Sequence, residues 1–411
     1  MPHKHAVALL IAIVAAVVLG GAAGWFYGPA MLSVAWLGNL FLNGLKMLIL
    51  PLILAAVISG VASLGDIRKL GRIGGVTILY FLATTGVAVF IGLVMVNLIR
   101  PGDGIALAGA GMLESVQAKA EMGIEDILLS LISPNLVVSA ANTDLLPLMV
   151  FAIVLSAALT TIGRTGEHVI EFFNGLNEAM MKVVIWFMYF APVGIFALIA
   201  ARLGKAGGGE QFFAELMAVG LHVATVLSGL GIHFAFLFVV LLLVTGRGLR
   251  FLLGMSRALL TAFGTASSSA TLPLTMECAR EEGIDPRAIR FAIPLGATMN
   301  MNGTALYEAA AALFIAQAYG IDLSMGAQVI VFLTATLAAI GAAGIPEAGL
   351  VTMVIVLKAV GLPLEGIGLL LSVDWFLDRF RTTANVWGDM VGAAVIHRFL
   401  PEVVEEAHAH N

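Results

Sequence analysis

Long apolar runs separated by short polar punctuation dominate this chain. Six come first, at roughly 6–27, 38–64, 73–99, 138–163, 170–201 and 213–245. Each matches or exceeds the ~20 residues a helix needs to cross a hydrocarbon core of about 30 Å, so each predicts a spanning helix. The connectors carry turn formers: Arg100-Pro101-Gly102-Asp103, Gly163-Arg164-Thr165-Gly166 and Gly207-Gly208-Gly209. The stretch 101–136 is too mixed to cross and is expected outside the membrane. After residue 250 the pattern changes. Segments 257–279 and 327–357 are apolar but interrupted, at Thr265–Pro273 and at Gly341–Gly349. Each half is about 10 residues, half a membrane thickness, which predicts two re-entrant hairpins at about 250–280 and 325–358. Such backbone is tolerated at depth only where it is buried in protein or lines a wet cavity. Two interrupted segments in corresponding places point to a transporter's binding site. A whole helix is expected at 286–318 and another at 364–397. The predicted fold is an all-α polytopic membrane protein with eight transmembrane helices plus two re-entrant helical hairpins.

Composition supports this. Of 411 residues, 11% are charged and 60% hydrophobic, with mean hydropathy +1.02. A soluble domain carries about 25% charged residues. That excludes an ordinary cytosolic enzyme, a disordered chain and a nucleic-acid binder. The continuous apolar runs argue against an outer-membrane barrel, whose strands alternate. A single cysteine, Cys278, excludes a disulfide framework and a multi-cysteine metal cluster. The first apolar run lacks a small-residue cleavage site and is expected to be retained. Orientation follows Lys and Arg. Lys4, Arg68, Lys69, Arg72, Arg164, Arg247, Arg250, Arg280, Arg287, Arg290 and Arg398 fall on one side of an eight-span layout. Arg100, Lys119, Arg202 and Lys205 fall on the other. Both termini are therefore expected in the cytoplasm, with the first hairpin entering from there and the second from outside.

The last helix carries the strongest chemistry. Asp374, Asp378, Arg381, Thr382, Asn385 and Asp389 lie within a stripe about 120° wide at 3.6 residues per turn. With Arg379, five charges in one span would cost on the order of 15 kcal/mol if unpaired. An internal salt-bridge network explains the pairing alone. A solute or ion site also explains Thr382, Asn385 and the two polar hairpin tips. Asn300-Met301-Asn302-Gly303-Thr304 disfavours continuous helix, and freed carbonyls suit a hard cation; a structural kink is the alternative. Ser267-Ser268-Ser269 offers hydroxyls and turn amides at a hairpin tip. No G-x-S-x-G surrounds these serines, and His222 and His233 read as polar helix contacts rather than bases. A hydrolase is therefore disfavoured.

These residues resemble a known family. SSSATLP (Ser267–Pro273), NMNGTALYE (Asn300–Glu308), AAGIPEAGLVTM (Ala342–Met353) and VDWFLDRFRTTANVWGD (Val373–Asp389) are similar to the dicarboxylate/amino acid:cation symporters, the family of the glutamate transporters. Lys46–Leu64 and Phe173–Phe196 resemble it too, so the likeness covers nearly the whole chain. It implies a homotrimer in the lipid bilayer, working as an elevator. The scaffold would be helices 1 and 2 (1–72) and helices 4 and 5 with the external segment (101–206). The transport core would be helix 3 (73–100) and 207–411. That last stretch would hold helix 6, hairpin 1 (about 250–280), helix 7 (about 286–318), hairpin 2 (about 325–358) and helix 8 (about 364–397).

By resemblance, Asp378 binds the substrate amino group and Arg381 its side-chain carboxylate, a bidentate task that suits a guanidinium. Ser267, Ser268, Thr304, Ile345, Pro346, Gly349, Thr382 and Asn385 complete the pocket. Three sodium sites are implied. Gly296, Asn300, Asn385 and Asp389 form one. Thr298, Met301, Ala339, Ile340 and Ala342 form a second. Thr84, Thr85, Asn300 and Asn302 form a third. Glu308 occupies the place of the proton-carrying glutamate of the animal transporters. The chain also departs from the pattern. Asn302 stands where the family has Asp, Glu347 brings a charge to a hairpin tip, and Ala266 with Arg379 follows the animal arrangement. The compact, Ala/Gly-rich chain looks bacterial, which implies the inner membrane. The expected function is sodium-driven import of L-glutamate or L-aspartate, with sodium ions co-transported and no covalent chemistry. The rivals are a C4-dicarboxylate carrier, a neutral amino-acid carrier and an anion channel.

Overall fold

The computed structural model describes residues 3–63, 71–104, 125, 128–129, 131–142, 144–206, 210–340, 342 and 348–400. Among them all regular structure is helical. Helix α1 (His3–Tyr27) passes through a tight 3-10 segment, Gly28–Val34, into α2 (Ala35–Ala62). Helix α3 (Gly71–Ile99) ends where Arg100 turns left-handed, φ 49°, ahead of Pro101, which cannot continue a helix. The expected fourth run is two helices, α4 (Leu136–Asn142) and α5 (Leu145–Leu159), separated at an extended Asp144. The expected fifth run is α6 (Arg164–Met188) and α7 (Ala191–Ala206), bent by 53°. Pro192 sits in the first turn of α7, where its missing N–H costs nothing. Helix α8 (Glu210–Thr245) runs unbroken for 36 residues.

The first hairpin consists of α9 (Leu249–Gly254), α10 (Ser256–Thr265) and α11 (Ser268–Glu281). The whole helix expected at 286–318 is instead α12 (Pro286–Met299) and α13 (Asn302–Ala318), broken at Asn300 and Met301, whose ψ angles of 57° and 58° are non-helical. Asp285 caps α12, accepting from the Arg287 N–H at 2.7 Å, and Pro286 occupies its first position. The second hairpin has arms α14 (Met325–Ala338) and α15 (Ala348–Ala359); its tip, 343–347, lies outside the described residues. Helix α16 (Ile367–Phe399) closes the fold.

Among the described residues, Ile11–Gly44, Gly74–Ile99 and Met217–Thr245 are long and apolar enough to cross a membrane, and the bent α6–α7 pair makes a fourth such stretch. The chain packs as two groups of helices. One gathers α1, α2, α5, α6 and α7, with α1 laid along α7 and α2 against α5, α6 and α7. The other forms around α16, which touches α3, α8, α10, α12 and α13. Helix α13 is buried at every position, and its Ala309–Ala312 run lets neighbouring backbones approach closely.

Candidate functional site

Helix α16 buries its charged stripe. Asp374, Asp378, Arg381, Thr382, Asn385 and Asp389 are all buried, and Arg381 is 0% exposed. Arg381 donates from Nη1 to Asp374 Oδ1 at 2.9 Å and from Nη2 to Asp378 Oδ1 at 2.8 Å. Its guanidinium lies 4.1 Å from the centroid of the Tyr307 ring on α13, a cation–π contact in a dry site. The α-carbon of Gly349, first turn of α15, faces the same guanidinium; a Cβ there would stand 3.0 Å from Nη1. Arg381 Nε has no acceptor. A fully buried cation whose Nε has no acceptor costs free energy, and an incoming acceptor removes that cost.

The break between α12 and α13 is docked onto α16. The Gly303 N–H donates to Asn385 Oδ1 at 2.7 Å, and Asn385 Nδ2 reaches the Thr304 hydroxyl at 3.2 Å and Met301 Sδ at 3.6 Å. Glycine is required at 303, because a Cβ would fall 2.5 Å from the Arg381 carbonyl oxygen. Asn385 thus satisfies a donor freed by the helix break. One turn on, Asn300 Nδ2 donates to Asp389 Oδ1 at 3.0 Å, and Gly296 presses against that carboxylate. No cationic side chain pairs with Asp389 among the described residues. A buried carboxylate held only by a neutral amide is matched to a cation, and the oxygens around it suit a hard one. From α3, the Thr85 hydroxyl donates to Asn302 Oδ1 at 2.7 Å, and Thr84 lies 3.4 Å from Asn300 Oδ1 while donating to the Tyr80 carbonyl at 2.8 Å. Asn302 Nδ2 has no partner. Glu308 is fully buried, with Thr352 of α15 as a polar neighbour beside it.

The first hairpin tip is set by Ala266 in a left-handed conformation, φ 49°, followed by Ser267 as the cap of α11. Ser267 Oγ accepts from the Ala270 N–H at 3.1 Å, so this hydroxyl works as a helix cap, and Ser268 is buried beside it at the first position of α11. Arg379 leaves the charged stripe and donates to the carbonyls of Phe263 and Gly264 at 3.0 and 2.9 Å, filling the open C-terminal end of α10. Of the expected second cation set, Met301, Ala339, Ile340 and Ala342 are buried. Thr298 is exposed, and its hydroxyl is taken up by the Leu295 carbonyl at 3.0 Å. Ile345 and Pro346 lie outside the described residues. Sequence reasoning missed Tyr307 and Asp374's direct hold on Arg381. Tyr307 directly precedes Glu308 in the quoted Asn300–Glu308 string, which is the signal that was available.

Comparison with known proteins follows the same lines. A profile described as the sodium:dicarboxylate symporter family matches residues 9–399. The chain is 39% identical to excitatory amino acid transporter 3 of Mus musculus, over 97% of this chain and 86% of that protein. It is 38% identical to an excitatory amino acid transporter of Caenorhabditis elegans, over 95% and 87%. It is 37% identical to excitatory amino acid transporter 3 of Homo sapiens, over 97% and 86%.

Proposed function

The chain belongs to the sodium:dicarboxylate symporter family, and from that premise we propose that it imports L-glutamate or L-aspartate with sodium. The observation that carries the substrate is Arg381, buried between Asp374 and Asp378 with Nε unfilled. An acidic amino acid brings one amine and one side-chain carboxylate. The amine takes Asp378, the carboxylate takes Arg381, and the internal Arg381–Asp378 pair is exchanged for two pairs with the substrate. These two pairs offset one another, and the substrate's α-carboxylate adds one negative charge that the co-transported cations balance. A succinate-like dicarboxylate leaves Asp378 facing a like charge, and a neutral amino acid leaves Arg381 short of its partner.

Sodium travels as co-substrate. The Asp389, Asn300 and Gly296 cluster suits one ion, with Asn385 one turn away holding the Gly303 amide. The Thr84, Thr85, Asn300 and Asn302 cluster is offered as a second and weaker ion site, because the Asn302 amide supplies no charge. Glu308 is assigned the co-transported proton; its complete burial without a basic partner supports this. The two groups of helices support a static scaffold and a mobile core, carrying the site across as an elevator within a homotrimer. A bacterial inner membrane with cytoplasmic termini completes the reading.

The test is radiolabelled uptake into proteoliposomes, with sodium, proton and potassium gradients imposed one at a time. Aspartate or glutamate uptake driven by sodium is expected. Tight binding of succinate, or transport of serine and alanine alongside aspartate, overturns the assignment of Asp378 and Arg381.

A further inference from the structure

At the C-terminal end of α16, roughly four turns beyond Arg381, three parts of the core meet at one short turn. The turn Glu282–Asp285 joins the first hairpin to α12. It is closed by its own backbone bonds, Gly283 N–H to the Arg280 carbonyl and Ile284 N–H to the Ala279 carbonyl, both 3.0 Å. Arg247, just past the end of α8, donates to the Glu282 carbonyl at 2.7 Å and lies 3.4 Å from that of Gly283. From the last turn of α16, His397 supplies the third tie: its Nδ1 accepts the backbone N–H of Asp285 at 3.0 Å. Asp285 is itself the cap of α12 and pairs with Arg287 at 2.9 Å. The Arg287 guanidinium holds the Asp285 carboxyl below the usual range, so this partner stays ionised through the physiological interval.

An imidazole nitrogen that accepts a backbone N–H must be unprotonated at that position. Protonation converts Nδ1 from acceptor to donor, leaving the Asp285 N–H and the new His397 N–H opposed. The charged groups that face the ring are Arg247 from the end of α8 and Asp285 and Arg287 from α12, two cations against one anion. Arg290, also on α12, is exposed and turned to the Pro286 carbonyl, and Arg398 is exposed. The charge balance around the ring is thus unfavourable to an imidazolium, and the Asp285 carboxylate is already engaged by Arg287.

We propose that His397 is a pH-operated latch: as the neutral ring it ties the junction of the first hairpin and α12 to the last helix, and on protonation it releases that junction. The tie is present above the imidazole's titration and is lost as pH falls through it. The latch shares no residue with the proposed substrate site, so either can fail alone.

The experiment is hydrogen exchange on the full chain in lipid nanodiscs, at about pH 4.5 and about pH 8, the lower value set well under the ordinary histidine value because the cations beside the ring disfavour the imidazolium. Protection of the Asp285 amide, corrected for the intrinsic exchange rate, is expected to fall roughly tenfold in the wild type at the lower pH, the scale of one lost hydrogen bond with added like-charge repulsion. In His397→Asn the side-chain oxygen accepts the same N–H and does not titrate, so protection holds at both values. Unchanged protection in the wild type, or a parallel fall in His397→Asn, overturns the proposal. A second measurement needs no variant. Exchange of the His397 ring C2 hydrogen reports that residue's own titration, and its midpoint must coincide with the loss of Asp285 protection. Two separate midpoints also overturn it.

Discussion

Replacing Arg381 by Cys tests how far one side chain serves both stability and recognition. The guanidinium is 0% exposed and is bonded to Asp374 at 2.9 Å and Asp378 at 2.8 Å. Removing one partner of a buried pair costs about 3–5 kcal/mol, mainly because it strands the other charge. Here truncation strands two carboxylates on one helix and leaves Tyr307 without its cation, so the upper end, about 5 kcal/mol, is expected. Recognition is affected separately. Losing a desolvated charge pair with a substrate carboxylate costs at least about 3 kcal/mol, a factor of more than a hundred in affinity. The two effects are separable by adding Asp374→Asn. The double variant removes one stranded charge, so thermal stability recovers in part while aspartate binding does not. The assays are thermal unfolding of the purified protein and aspartate binding at saturating sodium. If Arg381→Cys binds aspartate within about threefold of the wild type, a change under ~1 kcal/mol, the carboxylate-binding role of Arg381 is refuted. Equal losses of stability in the single and double variants would instead show that Asp374 does not depend on Arg381.

Gly296→Ala places a Cβ 2.3 Å from Asp389 Oδ1 and must displace that carboxylate; apparent sodium affinity should fall on the order of tenfold or more. Gly75→Ala, with nothing within 4 Å, is the matched control and should be indistinguishable from wild type in sodium titrations. Asn302→Asp restores a charged oxygen ligand beside Thr85, so sodium activation of uptake should become tighter and steeper; an unchanged curve means that the amide already serves as well as a carboxylate. Glu308→Gln keeps the shape of a buried side chain but cannot carry a proton, and uptake measured across a pH series should lose its dependence on pH. A retained pH profile removes Glu308 from the proton path.

The chain's membrane class and its polar stripe were legible in the sequence for a simple reason. Hydrophobic runs of spanning length are local, and helical periodicity alone aligns Asp374, Asp378, Arg381, Thr382, Asn385 and Asp389 on one face. The polar Asn300–Thr304 run likewise announced a disturbed helix, although not that it divides the stretch outright into α12 and α13. What each charge does was decided only by tertiary structure, because the partners are distant along the chain. Asn300 and Asp389 are 89 positions apart, and Thr85 and Asn302 are 217 apart. Arg379 and Arg381 look alike in sequence, two residues from one another. A 200° turn of the helix sends one to the carbonyls of the first hairpin and the other into the buried acidic pair. Thr298 lies two residues before the helix break, yet it is exposed. The need for glycine at 296 and 303 was also invisible locally, since it follows from how closely another helix approaches, a distance that no single segment contains.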